Sequence, residues 1–187
     1  SFLPTDSTVV RNGRYLIRGQ QRQPALRFVI AMHDTTTLAI TDIILEDTDI
    51  VVNLHRDENK NEVKGGRDNT LWKEYNTWSN AENAKIEPTY RSAQDSTLSA
   101  EVRREAQEKV TQWEKEQLSA QADYTLSHIP SGVSSILLSE YYSHFDEATL
   151  KKILNNMQRS CPQDEVYREI VREREVTRRT AIGSQYT

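Results

Sequence analysis

The feature that most constrains this fold is a change of hydrophobic period part-way along the chain. Up to about residue 55, apolar and polar residues alternate with period two between turn residues, as in half-buried strands. From Leu71 onward they recur at three- and four-residue intervals, as on amphipathic helices. A single switch of this kind predicts an α+β chain, with a small antiparallel, sandwich-like sheet domain followed by a layer of bundled helices. The expected units are an antiparallel β domain over residues 1–66, a helical region over 67–181, and the start of a linker over 182–187.

In the first unit, Thr8-Val9-Val10 and Tyr15-Leu16-Ile17 flank Asn12-Gly13, a dipeptide suited to the positive φ angles of a type I′ hairpin turn. In the next run Leu26, Phe28, Ile30 and Met32 point one way and Arg27, Val29, Ala31 and His33 the other, with Pro24 at its start. A third run covers residues 38–45. After the turn at Glu46-Asp47, Ile50, Val52 and Leu54 share one face. The face carrying Phe28, Ile30, Ile50 and Val52 is the expected buried one. Residues 56–66 are polar and contain Asn59, Asn61, Gly65 and Gly66, which suits a turn-rich connection.

Leu71, Trp72, Tyr75 and Trp78 mark a first helix. A second is expected after Pro88 and the polar residues 92–96, with a stripe of Leu98, Val102, Ala106, Val110, Trp113, Ala120 and Tyr124 that requires a partner. A third starts near Ser131 and carries Ile136, Leu137, Tyr141 and Phe145. A fourth, capped by Asp146, carries Leu150, Ile153, Leu154 and Met157. The last opens around Pro162, presents Val166, Tyr167, Ile170 and Val171, and is expected to end at Ile182-Gly183. Glu169 with Arg172, and Glu175 with Arg178 or Arg179, are placed to form exposed ion pairs on it.

Charged residues make up 28% of the chain, yet the formal charge is only −4, so there is no cationic excess of the kind that releases phosphate counterions; nucleic acid is not an expected partner. No apolar run approaches the length needed to cross a bilayer. Ser1-Phe2-Leu3-Pro4 has neither a basic start nor an apolar core, so it is not a signal peptide, and an exported precursor would have had that segment removed. Cys161 is the only cysteine, which rules out an intrachain disulfide, a Cys-x-x-Cys pair and a multi-cysteine zinc site within these residues.

No catalytic, cofactor-binding or metal-binding residue emerges from the remaining candidates. His33-Asp34 would suit a carboxylate-oriented imidazole, but neighbours on a strand face opposite ways unless a turn intervenes. His55 ends a strand run beside Arg56-Asp57-Glu58, and His128 and His144 fall on different helices, so surface roles are the simpler reading for all of them. Asp57-Glu58-Asn59-Lys60-Asn61-Glu62 lacks the glycine and glutamate offsets of a calcium loop. Trp72, Trp78 and Trp113 would suit an aromatic pocket, but helical spacing places Trp72 and Trp113 on stripes already needed for packing. Cys161, ahead of Pro162 at an expected helix start, would have its thiol pKa lowered by the helix dipole, but it lacks a resolving partner.

Several local patterns together resemble a known family. Asp6-Ser7-Thr8-Val9-Val10-Arg11-Asn12-Gly13-Arg14-Tyr15-Leu16-Ile17-Arg18-Gly19 resembles the hairpin of a domain of unknown function found ahead of thioredoxin-like domains in Bacteroidota envelope proteins. Gly65-Gly66-Arg67-Asp68-Asn69 is similar to that family's glycine turn into its first helix. Ile129-Pro130-Ser131-Gly132-Val133-Ser134-Ser135 is similar to its Asn-Pro-x-Ser helix start, with Ile129 in place of asparagine. Ile182-Gly183-Ser184-Gln185-Tyr186-Thr187 resembles the lead-in to a thioredoxin or peroxiredoxin domain, although Tyr186-Thr187 replace the usual small residue and proline. The family's opening strand has no counterpart ahead of Asp6.

The resemblance implies a non-catalytic accessory segment that positions a C-terminal thioredoxin-like domain of the same chain. The parent would be an envelope thiol-disulfide interchange protein, periplasmic or lipid-anchored, acting on thiol or disulfide protein substrates. The alternative is a stand-alone envelope module that binds a peptide or ligand through an exposed strand edge.

Overall fold

Two antiparallel ladders precede five helices in the structure, a computed structural model that describes residues 5–180. β1 (Ala25–His33) pairs with β2 (Thr36–Leu45), and β3 (Val51–Asn53) pairs with β4 (Glu62–Lys64). The helices are α1 (Arg67–Gln94), α2 (Ala100–Ser127), α3 (Gly132–Tyr141), α4 (Glu147–Ser160) and α5 (Glu165–Thr180). This is the expected α+β order, a small two-sheet strand region followed by helices. The expected helix end at Ile182-Gly183 and the linker at 182–187 lie outside the described residues, as does Ser1-Phe2-Leu3-Pro4.

Asn12 and Gly13 both have positive φ, 52° and 72°, as a type I′ turn requires. Only Arg11 and Arg14 form a bridge across it, however, so the flanking arms are not strands, and Val9, Val10, Leu16 and Ile17 are exposed. The connection expected at 56–66 turns out to hold structure. Asp57 caps a short 3-10 turn over Glu58–Lys60, and β4 closes the second ladder.

The expected buried face is corrected by the packing. Phe28 and Met32 are 48% and 57% exposed, Ile30, Ile50 and Val52 are half-buried, and the buried strand residues are Ala39, Ile43 and Ile44 on β2. Two causes act together. A register shift opposite Ala31 and Met32 makes Leu38 the extra residue on β2, and the helical cover reaches Leu26 and Ile44 but leaves Phe28 and Met32 exposed. Adjacent Ile43 and Ile44 point to opposite faces, yet both are covered.

α1 and α2 are 28 residues each, about 42 Å long, and lie against one another. Pro88 sits inside α1 instead of separating two helices, and α1 continues to Gln94. The exposed Ser92 hydroxyl donates to the Pro88 carbonyl at 3.0 Å. Ser99, Ser131 and Asp146 cap α2, α3 and α4, each accepting from a main-chain N–H three residues on.

Two apolar clusters hold the chain together. One joins Ala122, Leu138, Phe145, Leu150, Ile153, Met157 and Ile170 of the helical layer. The other sets Ile44 of β2 against Tyr75, Val133 and Leu137, so strands and helices share a core. Tyr75 is buried and stacks near Trp72, Trp78 and Tyr124, and its burial pushes the phenol above its ordinary range. Its hydroxyl is buried near Tyr141 and Gln121.

Candidate functional site

The densest polar constellation is a seam where the starts of α1, α3 and α5 meet the strand region. Sequence reasoning did not single it out. Asn69, in the first turn of α1, accepts a hydrogen bond from the Ile44 main-chain N–H through Oδ1 and donates through Nδ2 to the Ile44 carbonyl, both at 2.8 Å. Ile44 is fully buried, so this amide satisfies main-chain groups that water cannot reach. The same Nδ2 lies 3.4 Å from Glu46 Oε1, which also accepts from the Asp68 N–H at 3.0 Å. Gly66, at φ 82°, supports this arrangement, because a Cβ there would fall 2.0 Å from Glu46 Oε1.

Asp68 extends the seam to α3. Its Oδ2 accepts from the Gly132 N–H at 2.7 Å, where the helix start leaves a main-chain donor without a partner in the helix. Gly132 is closely packed. An added Cβ would sit 2.2 Å from Pro24 Cβ and 2.6 Å from Asp68 Oδ2.

Gln23, next to Pro24, reaches α5. Its Nε2 donates to the Gln163 carbonyl at 2.8 Å and its Oε1 accepts from the Glu165 N–H at 3.0 Å, a two-point clamp across 140 residues or more. Asp164 caps α5 by accepting from the Tyr167 N–H at 2.9 Å, and it accepts from the Ser135 hydroxyl of α3 at 2.5 Å. Three helix starts, each the positive end of a dipole, thus meet a carboxylate from the chain itself. The N–H groups of Asp68, Gly132, Glu165 and Tyr167 are taken up by these contacts, so the seam is suited to fixing geometry, and the contacts described include no nucleophile-base pair.

The residues weighed from sequence lie elsewhere and do not converge. His33 and Asp34 do meet, Nδ1 to Oδ2 at 3.2 Å, because Asp34 adopts φ 53° in the β1–β2 turn; both are largely exposed. The turn overrides the opposite-face expectation. His55 is exposed, and its N–H donates to Asn61 Oδ1 at 2.7 Å. His128 caps α2 and stacks on Tyr124 at 4.0 Å, while His144 is exposed beside Ser143. Among the described residues no three His, Cys, Asp or Glu side chains group as metal ligands.

Trp72 donates from Nε1 to Asp42 Oδ2 at 2.6 Å, tying α1 to β2. Trp113 packs edge-on to Tyr90 beside a shallow, open depression lined by Glu105, Glu108, Lys109 and Glu116. The Tyr90 phenol is pushed up to about 12 by its hydrogen bond to Glu114.

Cys161 requires a correction. It is the C-cap of α4 and not part of a helix start, and α5 begins at Glu165 rather than around Pro162. Burial first, and the nearby Asp164 carboxylate second, raise its thiol pKa above the ordinary range. The dipole that would have activated it belongs to α5 and is already met by Asp164.

Residues 1–72 match the family model described as a domain of unknown function (DUF4369). The match spans both ladders and the first residues of α1, including Asp68 and Asn69. No curated protein and no solved structure matches the chain. No helix of the described residues is long and apolar enough to cross a membrane.

Proposed function

We propose that this chain is a non-catalytic accessory segment that holds a C-terminal thioredoxin-like domain in a set orientation within an envelope thiol-disulfide interchange protein. The observation that carries this reading is the fixation of α5. Gln23 and Asp164 secure its start, Ile170 is 3% exposed in the helical core, and Arg174 pairs with Glu147 of α4. A 16-residue helix held in this way spans about 24 Å and transmits orientation to whatever follows it, which a flexible linker does not. The resemblance supplies the thioredoxin-like and envelope context, and the single cysteine, with a raised pKa, suits a segment that leaves thiol exchange to another domain.

Insulin reduction in dithiothreitol tests this. Residues 1–187 should match a Cys161→Ser control at background turnover, while the parent extended past residue 187 should turn over clearly. Turnover by the short chain above that control, or an extended protein lacking Cys-x-x-Cys, would overturn the proposal. A Gln23→Ala change in the active parent should lower turnover of a protein disulfide while sparing a small disulfide, because only the former depends on orientation. The second reading, a stand-alone peptide- or ligand-binding module, is favoured by the exposure of Met32 and Leu38 on the first ladder.

A further inference from the structure

Acidic residues outnumber basic ones over the whole chain, 28 to 24, but residues 5–32 reverse the balance. That segment carries Arg11, Arg14, Arg18, Arg22 and Arg27 against the single acid Asp6. Its turn at Asn12-Gly13 projects two arms whose apolar residues remain in water. Val9 at 73% and Leu16 at 64% are the most exposed large apolar side chains among the described residues.

The two faces of this arm differ. Alternation along an extended chain, joined across the Arg11–Arg14 bridge, places Val9, Arg11, Arg14, Leu16 and Arg18 on one side. Tyr15 falls on the other side with Val10 and Ile17, which are less exposed at 54% and 46%, and it is anchored, its hydroxyl donating to the Val52 carbonyl of β3 at 3.0 Å. Burial raises the Tyr15 phenol, as expected of an anchored side chain. The face away from Tyr15 carries the more exposed apolar pair, with Arg11 and Arg14 towards the turn and Arg18 behind. None of these three guanidinium groups forms an ion pair or side-chain hydrogen bond with the described residues.

We infer that this face docks on an anionic lipid bilayer surface. An acidic protein segment would neutralise the arginines but leave the exposed side chains of Val9 and Leu16 without an apolar partner. A bilayer interface accommodates both chemistries at once. Val9 and Leu16 enter the headgroup–acyl boundary, and the arginine stems lie along it with their guanidinium groups at the phosphates. The attraction is peripheral and reversible, because one apolar pair and three cations make a weak anchor. This inference does not depend on a downstream thioredoxin-like domain.

Sedimentation of the full 187-residue chain with vesicles of phosphatidylcholine, alone or containing phosphatidylglycerol, tests it. The protein should partition onto the anionic vesicles only, and less so as salt rises. The triple change Arg11→Gln, Arg14→Gln, Arg18→Gln should weaken partitioning by about a hundredfold, from roughly fivefold per arginine. Val9→Ser with Leu16→Ser should weaken it by about tenfold, since both side chains contribute burial in the interface. All five side chains are exposed, so far-UV circular dichroism should be unchanged. No partitioning by the wild-type chain, or equal partitioning onto neutral vesicles, would overturn the inference without reference to any variant. An unchanged Val9→Ser, Leu16→Ser double variant would reduce the binding to adsorption of charge. Binding to polyglutamate but not to anionic vesicles would assign the face to an acidic protein, and either result refutes bilayer docking.

Discussion

Replacing Asn69 is the most direct test of the polar seam. Asn69→Leu keeps nearly the same shape but removes the amide, leaving the Ile44 N–H and carbonyl buried without partners. Each orphaned buried group costs about 1–3 kcal/mol, so the variant should lose roughly 4 kcal/mol. For a chain of this length that corresponds to a fall of about 12 °C in Tm, on the basis of ~3 °C per kcal/mol. Asn69→Asp separates the two halves of the contact. Its first oxygen can still accept from Ile44 N–H, but its second faces the Ile44 carbonyl and Glu46 Oε1, both acceptors. The ionised form is therefore disfavoured in the fold, and the pKa of the introduced carboxyl is raised above its unfolded value of about 3.9. The penalty is complete above the folded pKa and fades as pH falls through it, because the introduced carboxyl, once protonated, can donate to the Ile44 carbonyl. Melts by circular dichroism near neutral pH and near pH ~4.5 should show Asn69→Asp approaching the wild type on acidification, with Asn69→Leu keeping its deficit. An Asn69→Leu protein melting within about a degree of wild type would refute the reasoning, since that shift lies below what one orphaned group costs.

Other parts of the structure predict distinct outcomes. Gly132→Ala forces a Cβ to within 2.2 Å of Pro24 Cβ and should cost about 1–3 kcal/mol, read as a lower denaturant midpoint with an unchanged m-value. The main-chain N–H of Thr149, and then its hydroxyl, lower the Asp146 pKa. The stability this cap adds over Asp146→Ala should therefore be complete above the ordinary aspartate range and vanish as pH falls through the lowered folded value, in a series of melts below about pH 4. Cys161, with its raised pKa, should react with iodoacetamide more slowly than glutathione does at mildly alkaline pH, and Cys161→Ser should change stability by less than about 1 kcal/mol. Faster alkylation than glutathione would show an activated thiol.

What could be read from the sequence was local. Asn12-Gly13, Ser131 and Asp146 carry their signal within a few residues, and the turn and the caps form as expected. β1 shows where such reading stops. Alternation assigned Phe28 and Met32 to the core, but how far the helices reach along the first ladder decides burial, and that is not written into the alternation. Pro88 looked like a helix boundary because a proline removes one helical donor, yet the long α1–α2 contact carries the helix through. Cys161 was misplaced by a few residues, which reversed the direction of its pKa shift. The seam was scarcely legible, because the bonds that join its separate elements link residues 22 to 142 positions apart. The one available hint was Asp68-Asn69 after Gly65-Gly66, two small polar residues inside a first helical turn whose partners had to come from elsewhere in the fold.

The seam also bears on whether the strand region can stand by itself. Between residues 5 and 66 only Ala39, Ile43 and Ile44 are buried apolar residues, and Ile44 owes its burial to Tyr75, Val133 and Leu137 of the helices. Two-stranded ladders are marginal in water without a covered face, and here the cover and the partners of the Ile44 main chain both come from beyond residue 66. A fragment of residues 1–66 should therefore lack a cooperative thermal transition and show collapsed amide dispersion by NMR, whereas the full chain unfolds as one unit. Adding the helices in trans as residues 67–187 should restore dispersion if the seam and the shared core suffice to assemble the two parts. A well-dispersed spectrum from residues 1–66 alone would show that the ladders have a stability of their own that the packing around Ile44 does not supply.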